Sequence, residues 1–333
     1  MAQSAPPIGK EGNVGIAGNR SWRWWAPAML ATVALAWVAH AESGASFERS
    51  TFVVEVGEQR IQQPVGSAFV LPGERLPLAI AAALPSQSFH ASAAQGTLRA
   101  QRERWMWTAP SRPGLYPLSI VEEHSGERVR LNVFVLVPFR RMRHGMLNGY
   151  PIGSYPHPHA ASFYRPPAGF IEVTRDNQDT ELSPHFRLRQ FVCKQESRYP
   201  KYAVVRPELI TKLESVLAAV NERGIAASTL AIVSGYRTPR YNRRLGNTRY
   251  SAHQWGGAAD VFVDEDGDGV MDDLNGDGRS DYRDTLVLAE IVEQIESSES
   301  GVHLIGGLGR YHSSESHGPF VHVDVRGYRA RWG

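Results

Sequence analysis

The sequence predicts two folded units of different class: a small all-β, Ig-like sandwich, followed by an α+β domain whose helices pack on a small, mostly antiparallel sheet. Three observations carry this expectation. The chain has 333 residues, more than one typical domain holds. From about Ser46 to Val137 the apolar residues alternate or run in short stretches punctuated by Gly and Pro, the pattern of consecutive strands. From about Glu181 onward, helical spacing mixes with strand-like runs that carry polar residues at their ends. A hydrophobic share of 42% and a charged share of 21% leave ample apolar material for both cores.

The first 41 residues stand apart from both units. Lys10, Arg20 and Arg23 precede an apolar run from Trp24 to Ala39, and Ala39-His40-Ala41 has the small-x-small form of a signal-peptidase site. The run is shorter than the ~20 residues that span a bilayer. That favours a cleaved signal; an uncleaved anchor, the alternative, would be the chain's one contact with a membrane. On either reading the rest is exported, to the periplasm or cell envelope. Without residues 1–41 the basic and acidic side chains are equal in number, so charge gives no case for a nucleic-acid partner.

Within 46–138, Thr51–Val56 and Val129–Val135 read as strands, and Trp105–Pro110 with Pro113–Leu118 as strand, turn and strand. Trp105 and Trp107 suit core packing better than contact with a glycan. Ionisable residues do not cluster there, which points to a spacer, docking or substrate-presenting role. Residues 139–180 are rich in Gly, Pro, Tyr and His and too long for a plain connection, so they should wrap the next domain or line its cleft. His144, His157 and His159 lack partners at metal-binding spacing and are assigned to surface or packing.

The third segment, 181–333, opens with Ser183 as an N-cap and Pro184 in the first turn of a helix running through Phe186, Leu188 and Phe191. The single cysteine, Cys193, excludes an internal disulfide and suits a small buried apolar role. A second helix covers about Pro207 to Arg223, with Leu209, Leu213, Val216, Leu217 and Val220 as its stripe and Gly224 as its cap. Thr229–Val233 reads as a buried strand leading into Ser234–Pro239. A third helix runs from Thr285 to Ile295 with Leu286, Leu288, Ile291, Val292 and Ile295 apolar.

Chemistry concentrates in Ser251–Asp260. His253 and Asp260 stand seven positions apart, with glycines and alanines between them that let the backbone approach closely. Imidazole and carboxylate are ligands that zinc accepts, and a third is offered by His322 in the strand-like run Phe320–Val325, projecting from a strand edge. A mononuclear metal site of His253, Asp260 and His322 follows.

These motifs in order, Ser234-Gly235-Tyr236-Arg237-Thr238-Pro239-x-Tyr241-Asn242, then Ser251-x-His253-x-x-Gly256-x-Ala258-x-Asp260, then Val321-His322-Val323-Asp324, resemble the zinc D-alanyl-D-alanine carboxypeptidases and the related murein endopeptidases and VanX-type dipeptidases. The resemblance covers roughly Glu181 to Gly333. It implies that His253, Asp260 and His322 hold Zn²⁺ with one position left for water, the arrangement of a catalytic site. Arg237 matches the family's substrate-facing arginine, suited to a terminal carboxylate or a developing oxyanion; the competing role is a salt bridge pinning its loop. Ser251 and Asp324 would support the ligands from behind. Many relatives carry an acidic general base three positions before the last zinc histidine, where this chain has Pro319. His317 is the nearest titratable substitute, with Asp324 as the other candidate.

Residues 264–284 carry nine acidic and two basic side chains. Oxygen ligands at alternate positions with interspersed glycines suit Ca²⁺, resembling EF-hand-like and thrombospondin-type loops. One loop takes Asp264, Asp266, Asp268 and Asp272 with the carbonyl of Val270. The other takes Asp273, Asn275, Asp277, Asp281 and Asp284. A solvated acidic loop without metal is the alternative. The expected function is an exported zinc peptidase acting on peptidoglycan stems or cross-links; the alternatives are a non-catalytic wall-binding scaffold with a structural zinc, and a signalling-type domain.

Overall fold

A computed structural model describes residues 47–102, 104–157 and 161–333. The leader-like segment 1–41 and His159 lie outside the described residues. Among those described, no helix is long and apolar enough to cross a membrane.

The first unit contains β1 (Val53–Val56), β2 (Gln59–Ile61), β3 (Val65–Val70), β4 (Arg75–Ala82), β5 (Phe89–Ala93), β6 (Thr97–Gln101), β7 (Arg104–Thr108), β8 (Gly114–Glu122) and β9 (Arg128–Val135). One sheet has the order β2-β1-β4-β7-β6 and the other β3-β9-β8-β5, all antiparallel except the parallel pair β3–β9. Alternate residues of both sheets, among them Val54, Leu78, Trp107, Leu118, Ile120 and Leu131, meet in one dry core. Trp105 and Trp107 belong to that core, and the Trp107 indole N–H donates to the Gln95 carbonyl at 2.9 Å.

The connecting stretch holds β10 (Val137–Pro138), β11 (Met146–Leu147), β12 (Tyr150–Pro151) and β13 (Gly169–Val173), and β14 (Lys201–Ala203) pairs with β13. Its aromatics pack on Trp255: Tyr155 and Tyr164 stand edge-on to the indole at ring distances of 5.7 and 5.0 Å. The segment thus buttresses the turn that carries His253.

No α-helix forms at Ser183–Phe191. Pro184 sits in a bend closed by the Leu182 and Ser183 amides donating to the Phe186 carbonyl, and only Leu188–Phe191 makes a short 3₁₀ turn. Leu182, Phe186, Leu188 and Phe191 are all buried, so the apolar spacing reflected core contacts of an irregular segment, not a helical face. Ser183 is no cap, and its buried hydroxyl makes no hydrogen bond.

Two helices frame the last sheet. α1 (Pro207–Glu222) starts at a proline and buries Leu209, Leu213, Val216, Leu217 and Val220; Gly224 follows with φ +79°, a conformation that favours glycine. After β15 (Ala231–Ser234), the short α2 (Pro239–Arg244) is capped by the Thr238 hydroxyl. β16 (Ala258–Phe262) is followed by α3 (Asp284–Ser297), β17 (Gly307–Tyr311), β18 (Phe320–Asp324) and β19 (Ala330–Trp332). The sheet order is β15-β16-β18-β17-β19, antiparallel except β17–β19. Two expectations change here. Leu286, placed on the apolar stripe of α3, is 46% exposed, and β18 is an interior strand rather than an edge.

Between the helices and the sheet lies a charge. Lys212 of α1 is fully buried, its ammonium bonded to Glu296 (2.6 Å) and to the carbonyls of Leu304 (3.1 Å) and Asp324 (2.8 Å). Three acceptors match its three donors, which offsets the desolvation of the ion.

Candidate metal centre

The sheet register builds the site. Asp260 on β16 lies directly opposite His322 on β18, so both side chains leave the same face at the same level. His253 arrives from the 3₁₀ turn Ala252–Trp255, which Gly256 closes with φ 66°. A Cβ at Gly256 would collide with the Val204 carbonyl, and one at Gly257 would stand 2.6 Å from the Phe163 ring. The two glycines therefore let the His253 turn press against neighbouring backbone and aromatic surface.

Three donor atoms converge. His253 Nε2 is 3.1 Å from Asp260 Oδ1 and 3.1 Å from His322 Nδ1, and the last two are 2.8 Å apart. The residues are 1%, 3% and 5% exposed. Donors bound tetrahedrally at about 2.0–2.1 Å stand roughly 3.3 Å from one another, so this set fits a zinc ion with little movement. Tautomers are fixed from behind: the Gly235 carbonyl can only accept, so His253 donates through Nδ1 (2.7 Å) and turns Nε2 inward. Likewise His322 Nε2–H donates to Asp324 at 3.1 Å, leaving Nδ1 for the site.

The electrostatics match this geometry. Burial would raise the Asp260 carboxyl, but the two imidazoles hold it well below the usual carboxylate range. Burial lowers His253. At His322 burial also pulls downward, yet hydrogen bonds to Asp260 and Asp324 leave its pKa raised. Proton and cation therefore compete for the same donors. Asp324 is fully buried; it accepts from Gly307 N–H at 2.7 Å and from Arg326 Nε at 2.8 Å, and its carbonyl is the one Lys212 holds.

The other site residues fall around a cavity of about 590 Å³. Arg237 lines it, bonded to Ser234 Oγ at 2.7 Å and ion-paired with Asp260, so it touches both the expected ligand and the open space. Ser251 lines the wall, and its side chain does not cap the His253 turn. His317 lines the same cavity from the β17–β18 hairpin; its Nδ1–H donates to the Gly318 carbonyl at 2.8 Å and its ring stands on edge against Phe320. The sequence reading missed Tyr250, Tyr311, Arg326 and Trp332, which complete the walls. Their signal was weak: aromatics are equally at home in a core, and only the position of Arg326, two residues beyond Asp324, hinted at a role.

In the acidic insert, Asp264, Asp266 and Asp272 bring one carboxylate oxygen each within 4.8 Å of one another. The remaining residues do not join them. Asp268 accepts from Val270 N–H at 2.7 Å, and in the second loop Asp273 accepts from Gly276, Asp277 and Gly278 N–H. Asn275, Asp277 and Asp281 accept from backbone two residues on. Asp284 is buried and ties Leu274, Asn275 and Asp281 N–H, so it fastens the loop to the start of α3. Among the described residues no second carboxylate group forms at 273–284; the oxygens of both loops accept from local amides, but only those of Asp264, Asp266 and Asp272 converge.

Residues 184–274 match the family model described as Peptidase M15. The matched stretch contains His253, Asp260 and Arg237 and ends before His317 and His322. It supports a zinc-dependent peptidase with a peptide substrate, and the His253–Asp260–His322 group could hold that metal. No curated protein matches the chain. Among solved structures, that of the Yersinia pseudotuberculosis adhesin InvE is similar at 17% identity, with a TM-score of 0.17, over 29% of this chain and 29% of that one. The chain thus spans under a third of that structure, and a likeness at this score carries no argument.

Proposed function

We propose that the protein is an exported zinc peptidase that hydrolyses peptide stems or cross-links of peptidoglycan, as a D,D-carboxypeptidase or endopeptidase. The observation that supports it best is the convergence of His253, Asp260 and His322 at the floor of a cavity that Arg237 and His317 also line. Zinc held there supplies Lewis acidity, polarising a substrate carbonyl and acidifying the attacking water. The chain's own residues do the rest. Arg237 offers a planar donor fork to a substrate carboxylate or to the oxygen that gains charge. His317 takes a proton from the attacking water and returns it to the leaving amine, the role an acidic residue fills where this chain has Pro319. Asp324 holds His322 in its ligating tautomer. Export rests on the leader-like residues 1–41, and the Ig-like unit is a spacer or wall-docking module.

The absence of an acidic side chain at Pro319 favours one second reading, a wall-binding scaffold with a structural zinc. Zinc-loaded protein incubated with purified wall fragments separates the two: product masses show loss of a terminal residue or a cut cross-link, whereas intact fragments would leave the scaffold. His317→Ala with full zinc should lower kcat by about 10²-fold or more; wild-type turnover would remove His317 from the mechanism.

Calcium belongs to the same proposal, with Asp264, Asp266 and Asp272 as the ligand core. Partial burial and its acidic neighbours Asp266, Asp264 and Asp268 raise the Asp272 carboxyl, a crowding that a cation relieves. A calcium titration should raise the melting temperature; no shift and no heat of binding would decide for a solvated loop.

A further inference from the structure

We propose that the cleft continues past the metal centre into a carboxylate-binding subsite made by Arg243 and Arg249, and that the preferred substrate is a peptide with a second free carboxylate away from the cleaved bond. The inference rests on the peptidase reading and adds a substrate class to it.

A second cavity, of about 380 Å³, adjoins the first. His157, Arg243, Asn247 and Arg249 line it, and Asn247 lines the metal cavity as well. The loop after α2 forms the partition between them: Thr248 and Tyr250 line the metal side, while Arg249 lines the other. Asn247 is thus the wall the two cavities share, and a peptide held at the metal would reach the second by passing it.

The charge there is one-sided. From Ser234 to Ala259 the chain carries Arg237, Arg240, Arg243, Arg244 and Arg249 and not one acidic residue. Arg237 is ion-paired with Asp260, but among the described residues neither Arg243 nor Arg249 has a carboxylate partner. Arg249 instead lies over the Tyr250 ring at 5.6 Å, which fixes its stem beside the partition. Two uncompensated guanidiniums on the wall of one concave pocket favour an anion, and their forked donors match a carboxylate.

The hairpin bearing His317 runs beside the loop that holds Val270. A Cβ placed on Gly318 would stand 3.5 Å from Val270 of the acidic insert. Beyond Asn247 the second pocket presents Arg243 and Arg249. Those two arginines would draw the extra carboxylate of a bound peptide toward the second pocket.

The test uses the zinc-loaded full chain and two peptides that differ only in a carboxylate or a carboxamide one or two residues from the scissile bond. Wild type should cleave the carboxylate peptide with a kcat/KM on the order of tenfold higher, mainly through KM, and 0.5 M salt should erode the preference. The double variant Arg243→Gln, Arg249→Gln should bring the carboxylate peptide down to the level of the amide, and lysine at both positions should restore part of the gap. Both arginines are exposed, and unaltered zinc content would show that the variant site is intact. Equal cleavage of the two peptides by wild type, or a preference that survives in the glutamine variant, overturns the subsite. Failure of wild type to cleave either peptide counts against the peptidase reading, and calorimetric binding of the same pair then decides. Tighter binding of the carboxylate peptide to wild type but not to the variant upholds the subsite; equal or absent binding overturns it.

Discussion

In the β sandwich the buried polar side chains are Ser50, Ser67, Glu122 and Asn132, whereas from residue 183 onward burial takes in Lys212, Glu214, His253, Asp260, Asp284, Glu296, His322 and Asp324, among others. The first core is held mainly by apolar contact, and its one buried carboxylate, Glu122, is met by the hydroxyl and amide of Ser125. The second spends stability on desolvated charge, and each such charge has a partner: Lys212 with Glu296, Arg237 with Asp260, His322 with both Asp260 and Asp324. Charges are kept in a core where they hold something in place. Here they cluster around the two paired strands that carry Asp260 and His322, and among the described residues the sandwich has no equivalent cluster.

Perturbing either side tests this contrast. The largest effect is expected at His253→Ala, which should cut zinc content below a tenth of a molar equivalent and lower hydrolysis by 10³-fold or more, on the order of 4 kcal/mol in the barrier. Metal analysis beside the assay checks it, and retained zinc would break the assignment. Trp107→Ala should cost about 3–5 kcal/mol of stability, read by urea unfolding, with turnover per bound zinc unchanged. A fall in turnover would show that the sandwich takes part in the chemistry. Lys212→Met leaves Glu296 with its arginine partner but removes the ammonium from the Asp324 carbonyl; about 3 kcal/mol is expected, with loosened zinc as well. Asp324→Asn should weaken zinc binding by about 10- to 100-fold while the fold survives.

The smallest effect concerns acid. Ser125, through its hydroxyl and its amide, holds Glu122 down at about 2. A carboxyl lowered in the folded state contributes stability above its unfolded value of ~4.3, and that contribution is lost as pH falls toward 2. Glu122→Gln should therefore flatten the acid limb of sandwich unfolding below about pH 4.5. The metal centre should fail earlier on acidification. His322 holds its proton more tightly than a free imidazole, so zinc retention should drop as pH falls through the neutral range.

The grouping of His253, Asp260 and His322 was legible because side-chain chemistry at motif spacing survives any uncertainty about the backbone, and the α1 stripe because sixteen residues of helix repeat a period several times. The segment around Ser183 was not, since Leu182, Phe186, Leu188 and Phe191 are buried one by one from bends whose spacing mimics a helix over a single turn. Leu286 failed for a related reason: near the start of α3 the stripe has no preceding turn to fix its phase. The position of β18 inside the sheet depends on its pairing with both β16 and β17, which is tertiary and leaves no mark on the residues around His322. The second acidic loop repeats the spacing of the first, and sequence alone does not register that only the first brings three carboxylates together.

One measurement bears most directly on the claim that buried charge here serves a zinc peptidase. Purified protein is analysed for zinc, incubated with wall peptides, and the products weighed, with Asp260→Asn in parallel. One zinc per chain, product release by wild type and neither in the variant is the predicted result. Full zinc occupancy with every peptide intact would contradict it.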